Sequence, residues 1–200
     1  MKAMLIKDLL ILKSQLKSLL AVLFVWLIIS FVNGSGLFFM ALTVIYGMLL
    51  PLNTIAADEK NHFDRYAMTM PVTRADLALS HYALGLLGIA VLAVFGVGAG
   101  VVIGDEPGEA VAASLACSCV AVLLMSVTLP LVYKLGVERA RIITVAVYLV
   151  MFLAVGFILE GLGIELDDFR EVFFLLPLLS LAVLAASAGI GVGLYRKREF

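Results

Sequence analysis

The stretch Ser18–Ala57, SLLAVLFVWLIISFVNGSGLFFMALTVIYGMLLPLNTIAA, contains no Asp, Glu, Lys or Arg. As one helix it would run roughly 60 Å, about twice the apolar thickness of a bilayer. Its middle reads Asn33-Gly34-Ser35-Gly36, a strong turn signal. The stretch therefore predicts two membrane-crossing helices, residues 18–33 and 36–56, folded back on each other at that turn. The remaining uncharged runs predict four more, at 77–104, 110–133, 142–159 and 172–195. A helix satisfies its own backbone hydrogen bonds, which is what lipid demands of a spanning segment.

Composition agrees. Of the 200 residues, 64% are hydrophobic and 14% charged, against about 45–50% and 25% in an ordinary soluble domain. So few polar groups cannot cover a water-exposed surface of this size. The net charge of -1 carries no basic footprint for nucleic acid. A cleaved signal peptide is not expected, because the apolar run begins only near Leu19 and no small-residue cleavage site follows it. Cys117 and Cys119 lie two apart in an apolar helix, on different sides, and read as packed free thiols.

The basic residues orient the spans. Lys2, Lys7, Lys13 and Lys17 precede the first helix, and Lys60, Arg65 and Arg74 follow the second. Lys134, Arg139 and Arg141 follow the fourth, and Arg196, Lys197 and Arg198 follow the sixth. Only Arg170 falls on the other side, where Asp105, Glu106 and Glu109 also lie. The positive-inside rule then places both termini in the cytoplasm. The whole chain, 1–200, reads as one transmembrane domain without internal repeats.

Two cytoplasmic segments carry further pattern. In residues 1–17, Leu5, Leu9, Leu12 and Leu16 share one helical stripe, beside Lys2, Lys13 and Lys17. This is either an amphipathic elbow helix lying in the membrane surface, which is the favoured reading, or an extension of the first span. The loop 58–76, DEKNHFDRYAMTMPVTRAD, repeats Phe63, Tyr66 and Met70 at helical spacing and is stopped by Pro71. Thr73 and Asp76 then fit a capping box opening the next helix. Pattern alone leaves open whether the aromatic helix docks on a partner or rests on the membrane.

The order of these parts resembles the ABC-2 family of ABC-transporter permeases. The stretch Glu59-Lys60, Phe63-Asp64-Arg65-Tyr66, Met70-Pro71-Val72-Thr73-Arg74 and His81-Tyr82 is similar to the LPVSR…KY signature of its small six-helix branch. That branch includes permeases for phenol-soluble modulins and antimicrobial peptides. His81 departs from it, since a lysine is common there. The resemblance implies that loop 58–76 is a coupling helix seated on a separate ATPase subunit, with Glu59, Phe63, Arg65, Tyr66 and Met68 as contacts. It also implies that residues 161–171 form an extracellular loop or re-entrant element. Two ATPase copies and a second permease, the same chain or a paralogue, would complete an exporter of amphipathic peptides or similar hydrophobic substrates from the bacterial plasma membrane.

The chain has no GxxxxGK[ST] phosphate loop, so ATP and magnesium would belong to the partner ATPase, and no cofactor is expected here. No metal-ligand spacing and no catalytic constellation stand out, so no catalytic or metal residue is assigned. His81 reads as a lone packed histidine. The mid-span regions hold no acid or base, which weighs against a secondary carrier. An ATP-independent scaffold or peptide-immunity protein is the alternative class. Gly85, Gly88, Gly96, Gly98, Gly100, Gly104, Gly189, Gly191 and Gly193 read as close helix contacts, and Pro51 and Pro130 as kinks.

Overall fold

The computed structural model describes residues 2–61, 63–67, 73–162 and 175–197. Every regular element among them is a helix: α1 (Lys2–Asn33), α2 (Leu37–Lys60), α3 (Phe63–Ala67), α4 (Arg74–Ile103), α5 (Pro107–Leu135), α6 (Val137–Leu162) and α7 (Leu176–Lys197). Four of them, α2, α4, α5 and α7, are long and apolar enough to cross a bilayer, and α1 makes five if its two arms count together. Those arms, Met4–Ser14 and Lys17–Asn33, meet at 67°. The apolar run 142–159 lies within α6.

The turn at 33–36 forms as its residues require. Gly34 takes φ +63°, the left-handed region that glycine enters without strain. The Asp105 carboxylate, from the α4–α5 connection, accepts the Gly36 N–H at 2.9 Å at the start of α2. At the opposite end, Thr73 and Asp76 make the expected capping box: the Thr73 hydroxyl accepts the Asp76 N–H at 3.2 Å, and the Asp76 carboxylate accepts the Thr73 N–H at 3.4 Å.

The core is built by α2, α4, α5 and α7 packing on one another, with α1 against α2 and α4, and α6 against α5. Small residues set some of these approaches. A Cβ on Gly36 would sit 2.5 Å from the Gly100 Cα, so the start of α2 touches the α4 backbone. Gly85, Gly88, Gly96, Gly100 and Gly191 also face neighbours, whereas Gly98, Gly104, Gly189 and Gly193 face open space. The glycine pattern therefore marks helix contacts at only about half its positions.

One expected boundary and one expected helix face shift. Asp58, Glu59 and Lys60 complete α2 and do not open the loop. Nothing between Ala57 and Asn61 breaks a helix, and Asp58 faces inward, where it finds a cation. The inward stripe of the first arm is Met4, Asp8 and Leu12, while Leu9 is exposed. This stripe shares Leu12 with the leucine stripe but has Met4 and Asp8 where the leucine stripe has Leu5 and Leu9. Leu16, Met68 and Met70–Val72 fall outside the described residues or side chains, as does most of the 161–171 loop beyond Gly161 and Leu162, which belong to α6.

Candidate functional site

Five other helices bring side chains to the neighbourhood of α3. The first arm of α1 brings Lys7 and Asp8, the end of α2 brings Asp58 and Glu59, and α3 itself brings Phe63 and Tyr66. The start of α4 brings His81 and Tyr82, the end of α5 brings Tyr133, and the end of α7 brings Tyr195.

Of the five residues expected to contact an ATPase, three have described side chains. The Glu59 carboxylate accepts the Val137 N–H at 3.1 Å, tying α2 to the first residue of α6. Phe63 is half-buried on the core, with the Lys7 ammonium 4.2 Å from its ring centre, a cation–π distance. Tyr66 is 61% exposed, with its ring 6.5 Å from that of Phe63. Ala67 is fully buried and roots the short helix. Phe63 and Tyr66 thus do not form one exposed aromatic face: one anchors, the other is presented. Arg65 lies in α3 but its side chain, like Met68, is outside the described set.

Behind α3 sits a buried polar cluster. The Lys7 ammonium bridges both oxygens of Asp58, at 2.8 and 2.6 Å, and lies 3.0 Å from Asp8 Oδ1. His81 Nε2 lies 3.5 Å from Asp58 Oδ2. On its other side, His81 Nδ1 is 3.2 Å from the Tyr133 hydroxyl, and that hydroxyl lies 3.2 Å from the Ala78 carbonyl. The single Tyr133 hydroxyl proton serves either the Ala78 carbonyl or Nδ1, according to the tautomer of His81. Tyr133 also packs edge-on against Tyr195 with 5.1 Å between ring centres. Asp8, Asp58 and His81 are all buried.

Sequence spacing showed none of this. Asp8 was not singled out, and His81 is not a lone histidine. The three side chains come from three helices, so no local motif joins them. The one local signal was Asp8 itself, an acid four residues from Met4 and from Leu12 on the inward stripe. The cluster lies near the α3 end of the helices, since Asp58 is in the last turn of α2 and His81 in the second turn of α4.

Beyond the cluster, hydroxyls link helices. The Tyr82 hydroxyl donates to the Ser187 carbonyl at 3.0 Å, and the Ser187 hydroxyl donates to the Ser126 carbonyl at 2.5 Å. Tyr148 of α6 bonds the Leu124 carbonyl at 3.0 Å and the Thr128 hydroxyl, both in α5.

Neither the curated proteins nor the solved structures gave a match to this chain. A family model did: residues 3–196 match the one described as ABC-2 family transporter protein. Together with the apolar helices, this match makes the chain a multi-pass membrane protein of the ABC-2 transporter family, a transport component and not itself a catalyst.

Proposed function

We propose that the chain is the permease subunit of an ABC exporter in a bacterial plasma membrane, with six spans and both termini in the cytoplasm. A separate ATPase, present in two copies, would drive it, and a second permease would complete the pathway. Amphipathic peptides are the proposed cargo: the resemblance to peptide-exporting permeases points to them. The observation that carries the reading is the geometry of α3. A helix of five residues presents Tyr66 outward, while its base is held by buried Ala67 and by Phe63 against Lys7. A rigidly rooted projection passes a push from a docked partner into α1 and α2, where a loose loop would absorb it. Arg65 and Met68 join Tyr66 as proposed ATPase contacts, and Glu59 is proposed to act from behind by fixing α6 to α2. The first arm of α1 is the proposed in-plane elbow.

The test is coexpression with a cognate ABC ATPase in membranes. The expected result is a complex of two ATPases and two permeases whose hydrolysis rate changes when an amphipathic peptide is added. Tyr66→Ala should weaken that complex while the chain still inserts. An ATPase that copurifies equally with Tyr66→Ala overturns the docking role of α3. A chain that never retains an ATPase overturns the permease reading in favour of a scaffold.

A further inference from the structure

We propose that the crook of α1 holds one anionic phospholipid, with an acyl chain in the cleft under the bend and the phosphate on Lys13 and Lys17. The inference rests on the membrane placement proposed above for α1, and not on any ATPase. The two arms of α1 meet at 67°, and a cleft of about 250 Å³ lies between them and helices α2 and α4. Leu12, Leu50 and Leu92 are buried and form its floor, with Leu19 and Leu23 as one wall. Leu9, Leu87 and Val91 are exposed and edge its mouth. Lys13 is the one charged residue in its described lining.

The cleft lies at the depth of one leaflet. The Lys17–Asn33 arm rises roughly 24 Å from the 33–36 turn. In a hydrocarbon core of about 30 Å, the bend therefore lies near the opposite membrane face. Lys13 and Lys17 flank the bend there. Both are exposed, and neither forms an ion pair among the described residues. The mouth opens below them, toward lipid tails.

The lining selects the occupant. A bound water needs two to four polar partners, and the cleft offers only the side chains of Lys13 and Tyr46. A helix, about 10–12 Å across, would fill the space in about two residues of its length. A hydrocarbon chain fits it: the volume holds about eight groups of roughly 30 Å³, the share of one water and close to that of a methylene. An empty cleft would forfeit the dispersion contacts of its leucines, and the surrounding bilayer supplies a chain to restore them. The two unpaired ammonium groups at the rim then favour an anionic headgroup, each by about fivefold.

The experiment uses the full chain in detergent, freed of lipid. It is titrated with dioleoyl phosphatidylglycerol and, separately, dioleoyl phosphatidylcholine, and bound lipid is counted by native mass spectrometry. The expected result is one retained phosphatidylglycerol per chain, held about 30-fold more tightly than phosphatidylcholine. Lys13→Gln combined with Lys17→Gln should bring that ratio close to one. Val91→Phe narrows the mouth and should weaken both lipids about tenfold, the worth of roughly two buried methylenes, with the ratio unchanged. Glycerol phosphate, the headgroup without its chains, should not compete. All three substituted residues are exposed, so the variants should fold. A 30-fold ratio that survives the lysine pair overturns the proposal, as does equal binding of the two lipids by the unsubstituted chain. Competition by glycerol phosphate would assign a free-phosphate site instead. Lipid binding untouched in Val91→Phe would remove the cleft from the account, and a dimer lost in that variant would give the face to a second copy. ATPase retention is scored separately, so failure here leaves the permease reading standing.

Discussion

The Glu59 carboxylate accepts the backbone N–H of Val137 at 3.1 Å, so the last turn of α2 caps the first residue of α6. The first N–H groups of a helix have no partner inside it, and a side-chain acceptor there contributes about 1 kcal/mol. Glu59→Ala should therefore lower stability by about that amount. Glu59→Gln, which keeps an oxygen acceptor, should lose only a fraction of it. Thermal unfolding in detergent reads the difference.

Phe63 and Tyr66 should separate stability from coupling. Tyr66 is 61% exposed, so Tyr66→Ala should leave stability within about 0.5 kcal/mol. Phe63→Ala removes a half-buried ring and the surface under the Lys7 ammonium, and should cost about 1–2 kcal/mol. If α3 docks on an ATPase, Tyr66→Ala should nonetheless lower the peptide-dependent change in hydrolysis. Unfolding curves and ATPase rates on the same preparations check both halves.

Asp58→Ala should be among the most damaging single changes. It strips Lys7 of both hydrogen bonds to Asp58, leaving it only Asp8, and removes the oxygen that lies 3.5 Å from His81 Nε2. Removing one partner of a buried ion pair costs about 3–5 kcal/mol. Lys7→Gln should cost less, because its side chain is partly exposed and an amide still donates to Asp58. Folded yield by size-exclusion chromatography, followed by unfolding midpoints, ranks the two.

Gly36→Ala should disturb the crossing of α2 over α4. The added carbon meets the Gly100 backbone, which cannot swing aside, as well as the Asp105 carboxylate. Overpacking of this kind costs about 1–3 kcal/mol. Gly98→Ala is the matched contrast, as nothing lies within 4 Å of its added carbon. It should be neutral or stabilise by about 0.5–1 kcal/mol through helix propensity. Thermal unfolding of the pair gives opposite signs.

The helices were legible because lipid imposes a simple grammar: long uncharged runs, with turns where glycine and asparagine gather. The 33–36 turn and the Thr73–Asp76 cap were readable for the same local reason. The end of α2 was misjudged because charge was taken as a sign of loop, whereas Asp58 is a charged residue that has found a buried partner. The polar cluster was illegible. Periodicity tells which residues share a stripe, not which stripe another helix will meet, and Asp8, Asp58 and His81 lie 50 and 23 positions apart in turn. Spacing likewise does not tell that Tyr66 is exposed and Phe63 half-buried on the core, because an aromatic at helical spacing looks the same whether it faces out or in.

Hydroxyl bonds stitch α4 to α7, α7 to α5 and α6 to α5. Among the described residues, no side-chain hydrogen bond joins the Lys17–Asn33 arm of α1 to another helix. Its Leu19, Leu23, Trp26 and Leu27 touch the core through apolar contact alone. Hydrogen bonds fix register, whereas dispersion contacts are non-directional and re-form after a slip. The arm is thus a slider on a stitched block. A displacement of the Met4–Ser14 arm can travel along it as a glide, leaving the hydroxyl links of the block intact.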